Sequence, residues 1–310
     1  MVKSLTVIIL FLLSIQVTAE DSKQKPATNK TLERRFIEAN KNVSGWIDSY
    51  ADKLDIYLSG KRISNRLNRT TVVLRNVSSF VEYDKDTNLT YFDIKLRLPN
   101  FEESWQLRFT SYDEDEEEVG VNAARLQPTA TKENYGASVA WFKKLGDIDV
   151  SFKPRLKLKD EVETSYVLRL TSDGDFGWIL INPRFEFFAR HELGTGQFFS
   201  LPMIVPLSDK WSFLFTNEEQ YSDAKNLFNT NHDIGFVHSL NDSMDIKFAV
   251  LYENNNKPVY RLQQYTAYLA FTHRLYRQVV HYNFVPKVEY LRTRQFSPRL
   301  GLLFDVRFIF

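Results

Sequence analysis

His238 is followed directly by Ser239, the two residue types that a hydrolase uses as base and nucleophile. On a strand, neighbouring side chains point to opposite faces, so the two cannot share a proton. The other histidines, His191, His232, His273 and His281, make no H-E-x-x-H or comparable ligand spacing. Cysteine is absent, which removes thiolate nucleophiles, thiolate metal sites and a disulfide framework together. Gly194-Thr195-Gly196 is a turn signal without the second half of a nucleotide fingerprint. The acidic run Asp113-Glu114-Asp115-Glu116-Glu117-Glu118 reads in two ways, as a divalent-cation site or as a solvated, self-repelling loop; EF-hand spacing and its internal glycine are missing. No enzyme activity, metal or cofactor is expected from these residues.

The remaining charges fall in rows. From Thr70 onward the sequence has a period of two. Ile148, Val150, Phe152, Pro154, Leu156 and Leu158 alternate with Asp147, Asp149, Ser151, Lys153, Arg155 and Lys157. Phe92, Ile94, Leu96 and Leu98 alternate with Asp93, Lys95 and Arg97, and Trp105, Leu107 and Phe109 with Gln106, Arg108 and Thr110. Val280 to Tyr290 repeat the pattern. Strands with one greasy and one charged face separate an apolar medium from a polar one. Aromatics make up 15% of the chain, and alternation keeps the mean hydropathy low at −0.34. A membrane barrel with aromatic girdles predicts that combination, and a soluble β-sandwich is the competing architecture. The formal net charge is +1, which argues against nucleic-acid binding.

The elements that carry these rows can be placed in order. Lys3, the apolar run Leu5 to Ile15 and Val17-Thr18-Ala19 form a secretory signal peptide over 1–19. Residues 20–31 read as a polar, disordered segment. A helix is expected over 32–60, where Val43, Trp46, Ile47, Tyr50, Leu54, Tyr57 and Leu58 mark one face at steps of three and four. That helix either docks under the barrel or plugs it, or is an amphipathic lead-in packed on the rim.

Over 70–310 we expect an all-β, antiparallel up-and-down barrel. Fourteen strands are expected near 70–83, 89–98, 104–112, 134–143, 147–158, 162–171, 178–189, 197–206, 210–217, 231–240, 243–252, 261–273, 278–290 and 297–310. Twelve result if a weak pair such as 210–217 and 231–240 is miscounted. The longest connections, Asp113–Glu133 and Glu218–Thr230, are the third and ninth, on the outer side. Even connections such as Leu145-Gly146, Ser172–Gly177 and Ser208-Asp209 are short. In such a barrel Asp93, Lys95, Arg97, Arg108, Asp149, Lys153, Arg155, Lys157, Arg169, Arg184 and Glu186 face the lumen. They read either as a mildly basic pore favouring small anions or as a lumen closed by cross-strand salt bridges.

The C-terminal stretch FSPRLGLLFDVRFIF, with Phe304, Val306, Phe308 and the final Phe310 on one face, resembles the terminal strand of bacterial outer-membrane β-barrels. In those proteins the assembly machinery reads this strand. Segments such as GTGQFFSLPMIVPLSDKWSFLFTNEEQYSD and YTAYLAFTHRLYRQVVHYNFVPKVEYLR are similar to a widespread group of proteobacterial outer-membrane proteins. The resemblance implies a barrel in the bacterial outer membrane, among lipid and lipopolysaccharide, after cleavage of the signal peptide. It carries no activity, substrate or catalytic residue. Outer-membrane phospholipase A is a further comparison, but its pattern places the Ser two positions after the His, followed by Asn-Gly; here Ser239, Leu240 and Asn241 follow His238. Six Asn-x-Ser/Thr sequences, at Asn29, Asn42, Asn68, Asn76, Asn88 and Asn241, are read as chance in such a chain. The functional expectation is a narrow, porin-like channel for small polar solutes. The alternative is a non-conducting barrel that anchors envelope partners, with the N-terminal helix meeting a periplasmic one.

Overall fold

The computed structural model describes residues 32–59, 70–97, 105–111, 135–158, 162–191, 193–276 and 279–310. The signal-peptide reading, the polar segment 20–31 and the acidic run at Asp113–Glu118 lie outside the described residues. One helix, α1 (Leu32–Ser59), precedes fourteen long strands. They are β1 (Thr71–Val81), β2 (Thr87–Arg97), β3 (Trp105–Thr110), β4 (Tyr135–Leu145), β5 (Ile148–Leu158), β6 (Val162–Ser172) and β7 (Arg184–Arg190). After them come β8 (Gly194–Pro206), β9 (Trp211–Ser222), β10 (Leu227–Asn241), β11 (Met244–Asn255), β12 (Arg261–Leu275), β13 (Val280–Leu291) and β14 (Pro298–Ile309).

Each strand pairs antiparallel with its sequence neighbours, and β1 closes on β14, from Val73 opposite Ile309 to Val81 opposite Gly301. Phe310 extends the seam by donating its N–H to the Val72 carbonyl at 2.8 Å and accepting from Val72 N–H at 3.1 Å. The result is a closed barrel with no free edge. The rim where β1 begins and β14 ends is called the terminal rim below. From Ile37 onward α1 belongs to the same compact unit as the barrel.

Burial runs in the opposite sense to a soluble protein. Leu74, Phe152, Leu156, Phe236, Phe248, Phe284 and Phe304 are exposed on the outer face, whereas Arg75, Arg155, Glu186, Glu218, Asp233, Glu289 and Asp305 are buried on the inner one. Alternation along each strand puts them there, and only a lipid surround makes that distribution favourable. No described helix is long and apolar enough to cross a membrane.

Three expectations need correction. The ninth connection is a tight turn, Asp223–Asn226, closed by Asn226 N–H on the Asp223 carbonyl at 2.9 Å. Residues read there as loop continue the ladder, with Glu218 opposite Asn231 and Gln220 opposite Asn229. β10 and β12 have 15 residues each, against the ~9–11 that a tilted strand needs to cross hydrocarbon. Strands that rise past the apolar band are polar on both faces, and alternation no longer marks them. The sixth connection is not short: Gly174–Asp175 pairs with Leu180–Ile181 as a small ribbon. The strand expected over 178–189 is split at Asn182-Pro183, since proline has no N–H for the ladder, yet Leu180 and Ile181 still pair with Ile204 and Met203 of β8.

Beside the closing seam the outer face carries a polar quartet. Asn76 donates to Thr90 Oγ1 at 2.7 Å and Asn88 donates to Ser78 Oγ at 2.6 Å, with the two amides also bonded to each other. Its members answer one another, as polar groups facing lipid must.

If the outer face meets lipid, Phe248→Lys costs about 2–4 kcal/mol. Urea titration of the protein refolded in vesicles reads that cost, and a loss within about 0.5 kcal/mol, the range of ordinary surface changes, would contradict a lipid-facing β11.

Candidate functional site: the charged lumen

Inward positions of adjacent strands meet in register, and register decides which charges pair. On β2 and β3, Arg108 grips Asp93 with two bonds, Nε to Oδ1 at 2.9 Å and Nη2 to Oδ2 at 2.8 Å, and Lys95 lies 3.6 Å from the same carboxylate. Glu186 on β7 has no exposed surface; its Oε1 receives Arg184 Nη2 at 2.5 Å and also the Nε of Arg169 from β6. The far side repeats the design. Asp305 on β14 takes Arg75 of β1 at 2.8 Å and Arg307 at 2.7 Å. Asp233 takes Lys247 and the Tyr268 hydroxyl, the latter at 2.9 Å. Glu289 takes Lys287 at 2.6 Å and also Arg299, which reaches on to Asp84 at 2.8 Å.

Lys153, Arg155 and Lys157 form one inward column on β5, all buried. Arg155 donates to Thr110 Oγ1 at 3.1 Å and lies across Gly136; a Cβ at residue 136 would stand 2.4 Å from its Nη2. Asp149 is exposed beside the Gly146-Asp147 turn. Arg97 ends β2, and its side chain lies outside the described residues.

Between the ion pairs the lumen holds apolar patches. Val77, Leu251, Val285 and Leu303 cluster with Tyr91 and Tyr268 packed against them. Val167, Phe188 and Phe198 form a second patch, capped by Arg190 over the Phe188 ring at 4.5 Å and Arg184 over Phe198 at 5.1 Å. Sequence reading left out the lumen members of the second half, and it left out the small-residue row Gly136, Ser138 and Ala140 on β4. The same period of two would have found both.

The helix buries a face that the sequence does not mark. Val43, Trp46, Tyr50 and Tyr57 are exposed, Tyr57 at 83%, while Ala51 and Asp55 are buried at 3% and 0%. Asn40 donates to the Ile309 carbonyl at 2.6 Å, which fixes this end of the helix at the terminal rim. The small and acidic positions are the buried ones, and the aromatic positions are exposed.

His238 and Ser239 point apart: the His238 ring stacks on Trp211 at 4.4 Å and Ser239 donates to Asp245 Oδ1 at 2.9 Å. Among the described residues no three His, Asp or Glu side chains converge in a metal-binding geometry.

No protein-family model and no curated protein matches the chain. Solved structures do. It is similar to the outer membrane channel DcaP of Acinetobacter baumannii at 6% identity and TM-score 0.46, over 79% of this chain and 97% of that one. It is similar to OmpT, an outer membrane protein of Vibrio cholerae, at 8% identity and TM-score 0.47, over 80% and 99%. It is similar to the KdgM porin in complex with oligogalacturonate at 7% identity and TM-score 0.37, over 76% and 98%.

At the rim opposite the termini, Thr195 donates to Asp223 Oδ2 at 2.5 Å, and that bond, foremost, holds the Asp223 carboxyl below its ordinary value of 3.8. A depressed carboxyl gives stability that is present above the unfolded value and lost as pH falls through the folded one. Thr195→Val should raise the Asp223 pKa towards 3.8 in a carboxyl NMR titration; an unchanged value would mean the hydroxyl does not hold it. Glu186→Ala takes the shared carboxylate from two guanidinium groups. Breaking a buried pair costs about 3–5 kcal/mol, and the partial exposure of Arg169 puts the expected loss near ~3 kcal/mol, read as a lower urea midpoint. Glu186→Gln, which keeps an acceptor, should cost less.

Proposed function

We propose that the chain is a bacterial outer-membrane β-barrel acting as a narrow passive channel for small polar solutes. One observation carries this reading: the inner face is charged along the whole height of the wall, from Arg307 and Asp305 near the terminal rim to Glu289 and Arg299 near the other. Buried ion pairs are no better for stability than well-packed hydrophobic side chains, and often worse. A barrel that only had to stand in the membrane would do as well with an apolar filling. A charged lining gives water and polar solutes a path. Fourteen strands spaced ~4.8 Å and tilted ~40° close at a backbone diameter of roughly 28 Å. Side chains from both walls leave a passage about as wide as one helix, ~10–12 Å.

The second reading is a non-conducting barrel that docks envelope partners. The exposed row Trp46, Tyr50 and Tyr57 on α1 favours it, because aromatic side chains grouped on a helix suit a protein partner. Lipid and lipopolysaccharide would surround the barrel in either case, and the strand ending in Phe304, Val306, Phe308 and Phe310 would serve the assembly machinery.

Single-channel recording of the refolded mature protein separates the two. We expect small steady steps, with larger ones when residues 32–59 are deleted. Insertion confirmed by heat-modifiable migration, with no current in either form, would sink the channel and leave the docking reading.

A further inference from the structure

We infer that the outer wall over β10 to β14 carries a site for one phosphorylated lipid, with an acyl chain in a groove centred on Ala267 and the phosphate on Arg292 and Arg294 above it. The inference needs a lipid-facing outer wall and not a conducting lumen, so a silent channel leaves it standing.

The site is built from two register rows on the outer face. Ile234, Val250, Ala267, Val288 and Leu300 stand opposite one another across five strands. Ala267 is the smallest member of that row. With Phe248 and Leu269 one level nearer the terminal rim, it leaves a groove of about 750 Å³. The next outward row, towards the rim opposite the termini, is Tyr252, Tyr265 and Tyr290, one step of two residues or ~7 Å away. Tyr265 and Tyr290 stack at 4.4 Å, and Tyr252 lies 6.4 Å from Tyr265. Apolar side chains thus give way to phenols at a single level, as they do where hydrocarbon meets headgroups.

The turn between β13 and β14 folds over this row. Arg292–Arg294 make one 3-10 turn, and Gln295 and Phe296 follow with φ of 53° and 57°. Two consecutive non-glycine residues in the left-handed region are uncommon, and such a backbone persists only where its surroundings fix it. Here the Phe296 N–H donates to the Leu291 carbonyl at 2.9 Å, and its ring stacks on Tyr265 at 5.7 Å. Arg292 lies over the Phe296 ring at 5.3 Å, and its Nε donates to the Leu262 carbonyl, which ties the guanidinium to β12. Arg294 is exposed and lies 4.9 Å over the Tyr83 ring of the adjoining β1–β2 turn.

Charge decides the headgroup. Arg299 and Arg307 of β14 hold carboxylates, whereas among the described residues no carboxylate pairs with Arg292 or Arg294. The acids beside Tyr83 are committed elsewhere: Glu82 accepts the Leu300 N–H at 2.9 Å, and Asp84 holds Arg299 at 2.8 Å. An arginine in water needs no counter-ion. Two planar forks at headgroup level, next to a greasy groove, match the oxygens of a phosphate. A free phosphate would leave the groove unused, and a neutral lipid would leave the guanidinium groups unused. A lipid with a phosphate uses both.

Native mass spectrometry tests this on the full mature chain, released from detergent micelles that carry diphosphorylated lipid A. We expect one retained lipid. Removing the phosphates from the probe should weaken retention about tenfold or more, the worth of a charge-assisted hydrogen bond. Arg292→Gln with Arg294→Gln should weaken it as much and make retention indifferent to the phosphates. Ala267→Phe fills the groove, keeps the outer face apolar and should weaken the intact and the dephosphorylated probe alike. Equal retention with and without phosphates, or full retention in the double variant, would overturn the headgroup site. Retention unchanged in Ala267→Phe would overturn the groove. Complete displacement of the lipid by inorganic phosphate at equal concentration would overturn the lipid in favour of a free anion. Heat-modifiable migration confirms that each variant is folded, and no arm depends on conductance.

Discussion

Every backbone N–H and C=O that faces hydrocarbon must find a partner within the protein, because lipid offers none. That single requirement forces the sheet to close. β14 therefore pairs on both sides, with β13 and with β1, and the aromatic C-terminus is drawn into the ladder through Phe310 and Val72. Once the wall is closed, the period of two leaves each side chain only two destinations, lipid or lumen. The outer face takes Phe152, Phe236, Phe248, Phe284 and Phe304, and the inner face takes buried arginines, lysines and carboxylates.

The lumen then has a problem of its own. Charges concentrated inside a narrow cylinder must be neutralised locally, and the carboxylates serve as hubs: Asp93, Glu186, Asp305 and Glu289 each receive two cations. On β4 the wall is thinned by Gly136, and β5 beside it carries Lys153, Arg155 and Lys157 in one buried column.

Much of the fold was legible in the sequence, because alternation is a local property. Each of the fourteen strands is found within a few residues of its expected place where the apolar band imposes the pattern. The pattern ends where lipid ends, and for that reason Glu218 to Thr230 read as loop although it is mostly strand. Pro183 was visible, but whether it would end a strand or only interrupt one depends on the neighbour, β8. The lumen charges were legible as a set and illegible as pairs. That Arg108 grips Asp93 while Lys247 grips Asp233 follows from stagger between strands, which no single strand encodes. The helix misled for a different reason: its apolar periodicity is real, yet Ala51 and Asp55 are buried while Trp46, Tyr50 and Tyr57 are exposed, and periodicity alone does not say which face finds cover.

The ion pair between Arg75 and Asp305 joins the first strand to the last. A slip of one residue at that junction would turn Asp305 towards lipid, and hydrophobicity alone would reject it. A slip of two residues would not be rejected in that way, since every side chain would keep its proper face. In one direction it would set Asp305 opposite Ser79, away from Arg75, and leave a buried guanidinium without that carboxylate; in the other it would set Asp305 opposite Arg75 itself. The greasy faces thus set the parity of closure, and the salt bridge gives it a direction, rejecting the slip that parts Asp305 from Arg75.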